Sequence, residues 1–173
     1  MGMLSLSIQA QSPNDLIDLQ QPNYDLLQTL IEEKINKLRV KKRCSSLKPS
    51  NDLSKAATLH NNWLKGRKKL THYQPSSKYK KASDRVKVYS RQFVKIGENI
   101  QYLGLGYEIA GRRKRVISIT YEAAAKQAFK NWKQSKGHYR NLIDKDYKEV
   151  GTAITYDAKN FRIYVTQVYG LKQ

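Results

Sequence analysis

The sequence predicts an α+β fold, with helices on both faces of a central antiparallel sheet. Apolar residues recur at helical spacing in three segments, and two runs that alternate apolar and polar residues close the chain. Such amphipathic segments must bury their apolar faces against one another. Helices followed by a terminal antiparallel hairpin therefore indicate an α+β domain.

The first helix is expected near residues 23–42. Pro22 suits its first turn and Asp25 the positive end of the helix dipole, while the basic residues 41–43 suit the negative end. One apolar stripe predicts which face is buried: Leu27, Leu30, Ile31, Ile35 and Leu38.

The second helix is expected near residues 51–65. Ser50 or Asn51 can cap its free amides, and Gly66 ends it. His60 shares the apolar face with Leu53, Ala56, Ala57 and Leu64. This position predicts a histidine at the edge of the core with a satisfied hydrogen bond.

The middle of the chain is less regular. A short helix capped by Ser83 is predicted first. Residues 93–103 predict a strand, a tight turn at Gly97 and a second strand. Three glycines and a basic cluster in residues 104–118 predict a loop or an irregular hairpin.

The last elements are a helix near residues 120–135, capped by Thr120, and two strands at 148–157 and 160–169. The helix has one apolar face that includes Trp132. The strands alternate apolar and polar residues around a turn at Asn160 and predict an antiparallel hairpin.

The composition favours one globular domain with anionic partners. Hydrophobic residues form 39% of the 173 residues, and 33 basic against 14 acidic side chains give a formal charge of +19. We assign the domain to residues 22–171. The basic residues are spread over helices and loops and form no nucleic-acid motif, so an anionic envelope polymer or membrane surface is favoured over nucleic acid. Cys44 is the single cysteine and excludes an internal disulfide.

Residues 1–21 are expected to form a disordered tail or the remnant of a secretion signal. The start is short, apolar and then small and polar, but a basic region is missing and Ile8 fits poorly before a cut at Gln11. No apolar run in the sequence reaches the length of a membrane span.

Three polar residues at the ends of predicted elements are candidates for chemistry: His72, Glu98 and His138. Two imidazoles and a carboxylate suit a divalent metal with an open position, or acid–base work near neutral pH. Their spacing matches no local metal motif. Pattern alone therefore leaves open whether they converge or are ordinary loop residues.

Several motifs, in order, resemble the CAP superfamily, the cysteine-rich secretory, antigen 5 and pathogenesis-related proteins, and its compact bacterial members in particular. Ile35, Asn36 and Arg39 match the I-N-x-x-R pattern of the family's first helix. "LKPSNDLSKAATLHNNWL", "LTHY", "GENI", "AFKNWKQSKGHYRNLI" and the closing "EVGTAI" and "YVTQVYG" follow in the family's order. The resemblance extends from about Tyr24 to Gly170.

The resemblance implies an α-β-α sandwich with an open cleft. His72, Glu98 and His138 match three cleft positions, and Tyr139 is placed beside them. Ser135 stands where eukaryotic members have a second glutamate, as is usual in bacterial relatives. The resemblance further implies secretion, to the periplasm, the surface or the medium. It implies no single activity, since members are linked to sterol, lipid and metal binding, to proteolysis and to wall or host contact.

Three functions follow as hypotheses. The first is an extracellular binding module, expected to be monomeric, whose cleft takes a divalent cation or a small or lipid ligand. The second is a metal-dependent hydrolase of peptides or wall polymers, and the third is polyanion or nucleic-acid binding. A serine–histidine pair of Ser135 and His138 lacks a visible oxyanion donor set. For the first we expect His72 and His138 to bind zinc weakly, with Glu98 orienting them, and to release it below about pH 5.5.

Overall fold

The computed structural model describes residues 11–67 and 69–173. Of the disordered tail or signal remnant predicted for residues 1–21, the first ten residues lie outside the described part of the chain. In chain order the elements are α1 (Tyr24–Lys41), β1 (Lys48–Pro49), α2 (Asn51–Leu64), α3 (Ala82–Lys87), β2 (Phe93–Gly104), β3 (Gly106–Ala110), β4 (Arg113–Ile117), α4 (Tyr121–Gln134), α5 (Lys136–Ile143), β5 (Glu149–Asp157) and β6 (Arg162–Lys172).

A four-stranded sheet in the order β1-β5-β6-β2 forms the middle layer. The three long strands pair antiparallel, as predicted, while the two-residue β1 pairs parallel with β5. A large core on one face joins the sheet to α1, α4 and α5, and a smaller core on the other face joins it to α2 and α3. The predicted fold of helices on both faces of the sheet is confirmed.

The three long helices lie where their apolar stripes predicted them, but some caps differ. Thr120 caps α4 as expected, because its hydroxyl accepts from the Ala123 amide. The cap of α1 is Asn23, so Pro22 precedes the helix instead of entering its first turn. Ser50 occupies the cap position of α2 but makes no capping hydrogen bond with its side chain.

The turn predicted within residues 93–103 was wrong, because β2 runs through Gly97 without interruption. A Cβ at Gly97 would lie 2.5 Å from the Tyr147 hydroxyl, so the glycine permits close packing and marks no turn. The cap predicted at Ser83 was also wrong. Helix α3 begins at Ala82, and the Asp84 carboxylate accepts from the Lys81 amide. Helix α5 was not predicted at all.

Residues 11–21, predicted as part of a tail, contact the domain at several points. Ile17 is 3% exposed within the large core, and its amide donates to the Ile119 carbonyl. Leu16 also pairs with Thr120 in an isolated β-bridge. The buried apolar side chain and the backbone bonds hold this segment in place, although its composition resembles that of a tail.

Gly151 offers a test of the packing between α2 and the sheet. A Cβ there would lie 2.0 Å from the Ser54 amide nitrogen, and this neighbour is helix backbone that cannot rotate away. We expect Gly151→Ala to lower the free energy of unfolding by about 3 kcal/mol. Gly104→Ala in β2 is the control, because its Cβ meets nothing within 4 Å. Equal urea midpoints for the two variants would contradict this packing.

Candidate functional site

The predicted site residues meet at strand β2, which forms one edge of the sheet. Glu98 lies on this strand. His72 comes from the segment between α2 and α3, on one face, and His138 comes from the first turn of α5, on the other. An edge strand lets elements from both faces reach the same place.

Glu98 holds His72 in one orientation. The Glu98 side chain is nearly buried, and its Oε1 lies 2.9 Å from His72 Nδ1. A carboxylate accepts hydrogen bonds, so His72 Nδ1 carries a proton, and the neutral form of the ring has its lone pair on Nε2. The ring is half-exposed, and no hydrogen bond to its Nε2 is found within residues 11–67 and 69–173.

Arg85 occupies the other side of Glu98. Its Nη2 donates to Glu98 Oε2 at 2.5 Å, in a pair that is buried on both sides. Arg85 Nη1 donates to the carbonyls of His72, Tyr79 and Lys80. The one guanidinium therefore neutralises the carboxylate and fixes the backbone that carries His72.

These contacts set the charge of the site. Burial alone would raise the pKa of Glu98, but the hydrogen bond from His72 and the charge of Arg85 hold it below its usual value. Burial lowers the pKa of His138, and the neighbouring His72 lowers it further. Near neutral pH the site therefore holds a carboxylate cancelled by a guanidinium, beside a neutral His138 ring.

His60 lies in the interior next to the site and contacts the segment that carries His72. It was predicted at the edge of the core, but it is fully buried, with Nε2 3.0 Å from the Thr71 carbonyl and Nδ1 2.9 Å from Gln74 Nε2. Its Nε2 also lies 3.8 Å from Glu98 Oε1. Burial lowers the pKa of His60 to about 4, so the ring is neutral and serves to brace the His72 segment.

His138 faces His72 across the cleft, with ring centroids 6.4 Å apart and the planes at 61°. Asn99 donates to the His138 carbonyl at 3.2 Å and accepts from Asn141 at 2.8 Å. Asn141 also donates to the Glu98 carbonyl. The two asparagines thus clamp α5 to β2 and fix the position of His138.

The other predicted cleft residues have different surroundings. Ser135 lies at the junction of α4 and α5, three residues before His138 and at the N-cap of α5. Tyr139 is partly buried against the large core. Within the described residues no hydrogen bond joins Ser135 to His138, so the structure provides no nucleophile–base pair there.

Several supporting residues were not predicted from the sequence: Arg85, Gln74, Asn99 and Asn141. Asn99 and Asn141 belong to the family motifs "GEN" and "GHYRN", so these motifs could have indicated a role for both asparagines. Arg85 is one of many basic residues in a chain of charge +19. No local pattern distinguishes its buried position from a solvated one.

The spacing of the two histidine rings can be compared with the spacing that one shared transition-metal ion requires. An ion about 2 Å from an imidazole nitrogen lies about 3 Å from the ring centre, so two histidines on one ion have centroids about 5–6 Å apart. The observed centroid distance of 6.4 Å is slightly longer than this range. Within residues 11–67 and 69–173 no cluster of three or more ligating residues is found, and both Glu98 oxygens are already bonded.

Two open cavities differ in their relation to this site. A cavity of about 320 Å³ adjoins it and is lined by His72, Tyr73, Lys81, Ala82, Ser83, Ile96 and Glu98. A larger groove of about 670 Å³ runs along α1 and the residues around β1, away from the histidines. The smaller cavity has room for a small polar ligand beside His72.

The buried state of His60 predicts how stability changes with pH. With a folded pKa of about 4 against about 6.5 unfolded, the folded protein binds fewer protons between these values. Stability should therefore fall as the pH drops from about 7 to about 5, by about 2 kcal/mol in urea unfolding. The lowered pKa of His138 acts in the same direction, while the lowered pKa of Glu98 contributes only below about pH 5.

His60→Gln is the variant that tests the origin of this dependence. The glutamine amide can still donate to the Thr71 carbonyl but does not titrate. Most of the change in the free energy of unfolding with pH should therefore disappear, whatever the absolute stability of the variant. A slope equal to that of the unmodified protein would place the titration in another group.

The comparisons with known proteins agree with this architecture. The chain superposes on an outer surface protein from Borrelia burgdorferi with a TM-score of 0.65 at 18% identity, covering 92% of this chain and 99% of that one. An extracellular protein with an SCP domain from Bacillus anthracis gives 0.65 at 19% identity, covering 95% of this chain but 45% of that one. NaASP2, solved with Zn²⁺, gives 0.54 at 16% identity, covering 86% and 84%.

At these identities the structures show a shared fold. A comparison with curated proteins found no match. The sequence pattern of the cysteine-rich secretory protein family, CAP, matches residues 32–169, which include His72, Glu98 and His138. The chain therefore belongs to the CAP family.

Proposed function

We propose that this CAP domain is a secreted or surface-exposed binding module whose cleft takes up a divalent transition metal such as zinc. His72 and His138 supply the ligands, and water or a small ligand in the adjoining cavity completes the shell. The observation that carries the proposal is the hydrogen bond from His72 Nδ1 to Glu98, which leaves Nε2 as the ligating atom of the neutral ring.

Binding is expected to be weak because the cleft offers a cation no net negative charge. Arg85 cancels the charge of Glu98, Ser135 brings none, and Lys81 lines the cavity beside His72. Two neutral imidazoles then provide most of the affinity. A dissociation constant in the micromolar range or weaker follows, on the order of −8 kcal/mol or less favourable.

Relatives of the same fold support both parts of the proposal. Two are described as an outer surface protein and an extracellular protein, and a third was solved with Zn²⁺. Within the described residues no helix combines the length and apolarity needed to cross a membrane. The hydrolase alternative needs a free general base, and the engaged oxygens of Glu98 give it no support.

Zinc titration calorimetry tests the metal site. We expect micromolar or weaker binding at about pH 7.5 and loss of binding at about pH 5.5, because protons compete for the imidazole lone pairs. The double variant His72→Ala, His138→Ala should already lack binding at about pH 7.5. Tyr73→Phe changes one hydroxyl at the rim of the cavity and should bind like the unmodified protein.

Unchanged zinc affinity in the double histidine variant would show that any ion is held elsewhere. It would leave the cleft to a ligand other than a metal.

Substitutions at Ser135 test whether the lack of negative charge in the cleft causes the weak affinity for zinc. It occupies the N-cap of α5 and His138 the third helical position, a spacing at which side chains can meet in capping boxes. Ser135→Glu should tighten zinc binding about tenfold, since a carboxylate adds a charged ligand. Ser135→Gln has the same length without the charge and should change the affinity little. Equal affinities in the two variants would contradict the charge argument.

A further inference from the structure

The hairpin formed by β3 and β4 projects from the domain. The two strands pair with each other in a separate sheet, and every residue from Gly106 to Arg115 is exposed. A two-residue turn joins them, with Gly111 at a φ of 63°. Glycine adopts this conformation readily and is favoured at such hairpin turns.

The base of the hairpin is attached to the large core. Tyr107 contacts Phe161, with ring centroids 5.7 Å apart, and Val116 packs partly buried against the core. These contacts lie at the end of the hairpin opposite the turn. They give the projecting end a defined direction without covering it.

The projecting end carries a cluster of cations: Arg112, Arg113, Lys114 and Arg115. Only Arg115 has a carboxylate close by within the described residues, since it lies 3.6 Å from Glu108. Lys114 lies over the Tyr107 ring at 4.4 Å. At least two guanidinium groups and one ammonium group are thus available to an anionic partner.

Exposed apolar side chains accompany these cations along the hairpin, with Ile109 among them and Tyr107 and Ile117 nearer the base. Ile109 is 75% exposed and directly opposite Lys114 in the strand register, while Ile117 is 52% and Tyr107 47% exposed. A single exposed isoleucine needs no explanation. Several apolar side chains combined with basic ones on one projecting hairpin match the chemistry of a bilayer interface, where cations meet headgroup phosphates and apolar groups enter the acyl boundary.

We propose that this hairpin, residues 106–117, is a docking element for a bilayer surface that carries anionic lipid headgroups. Phosphates along a nucleic acid would attract the same cations, but they leave Ile109 without an apolar partner. A bilayer surface offers a partner to both the basic side chains and Ile109. The net charge of +19 adds a long-range attraction that brings the protein to an anionic surface.

Vesicle co-sedimentation at physiological ionic strength tests the proposal, with phosphatidylcholine alone and with phosphatidylcholine mixed with phosphatidylglycerol. The unmodified chain should bind only the mixed vesicles. The variant Arg112→Gln, Arg113→Gln, Lys114→Gln should bind them on the order of 100-fold more weakly, at about fivefold per basic residue.

The matched control removes three charges from the exposed face of α4: Lys126→Gln, Lys130→Gln, Lys133→Gln. It should lose much less affinity than the hairpin variant. Equal losses in the two variants, or none in either, would overturn the proposal, because binding would then depend on total charge or on another surface. Circular dichroism confirms that each variant is folded.

Ile109→Ser separates a lipid surface from other polyanions. It leaves the charge unchanged and should weaken binding to the mixed vesicles about tenfold, because the apolar contact is lost. Its binding to duplex DNA should not change. If Ile109→Ser binds the mixed vesicles as well as the unmodified chain does, the hairpin is a general polyanion surface and the lipid assignment fails.

Discussion

The buried ion pair between Arg85 and Glu98 is the interaction on which the candidate site depends. It joins α3 to the edge strand β2, and the same guanidinium holds three carbonyls of the His72 segment. Removing one partner would leave a buried charge without compensation, which costs about 3–5 kcal/mol. The pair therefore fixes the geometry of the cleft, and it also removes the negative charge that a cation would otherwise meet.

The edge of the sheet explains why one cleft can gather residues from both outer layers. Successive residues of β2 point to opposite faces, so Glu98 turns toward the His72 segment while Asn99 turns toward α5. Gly97 lets Tyr147 approach the strand at the same level. The short "GEN" segment thus contacts three parts of the molecule, and each of its residues has a separate structural role.

Positive charge has different consequences in two parts of the molecule. In the cleft, pairing and burial leave a nearly neutral site near neutral pH. In the hairpin, the cations of residues 112–114 project beyond the domain, together with an exposed isoleucine. The net charge of the chain gives no indication of this division, because it depends on which basic residues are buried against acids.

The sequence by itself determined the three long helices, the closing hairpin and the family motifs, because amphipathic periodicity and capping residues act over short distances. It also named His72, Glu98 and His138. Only the tertiary structure decided that they converge, that β2 passes through Gly97 without a turn, and that Arg85 is buried. These features depend on contacts between residues distant in sequence, and such contacts leave no local pattern of spacing or composition.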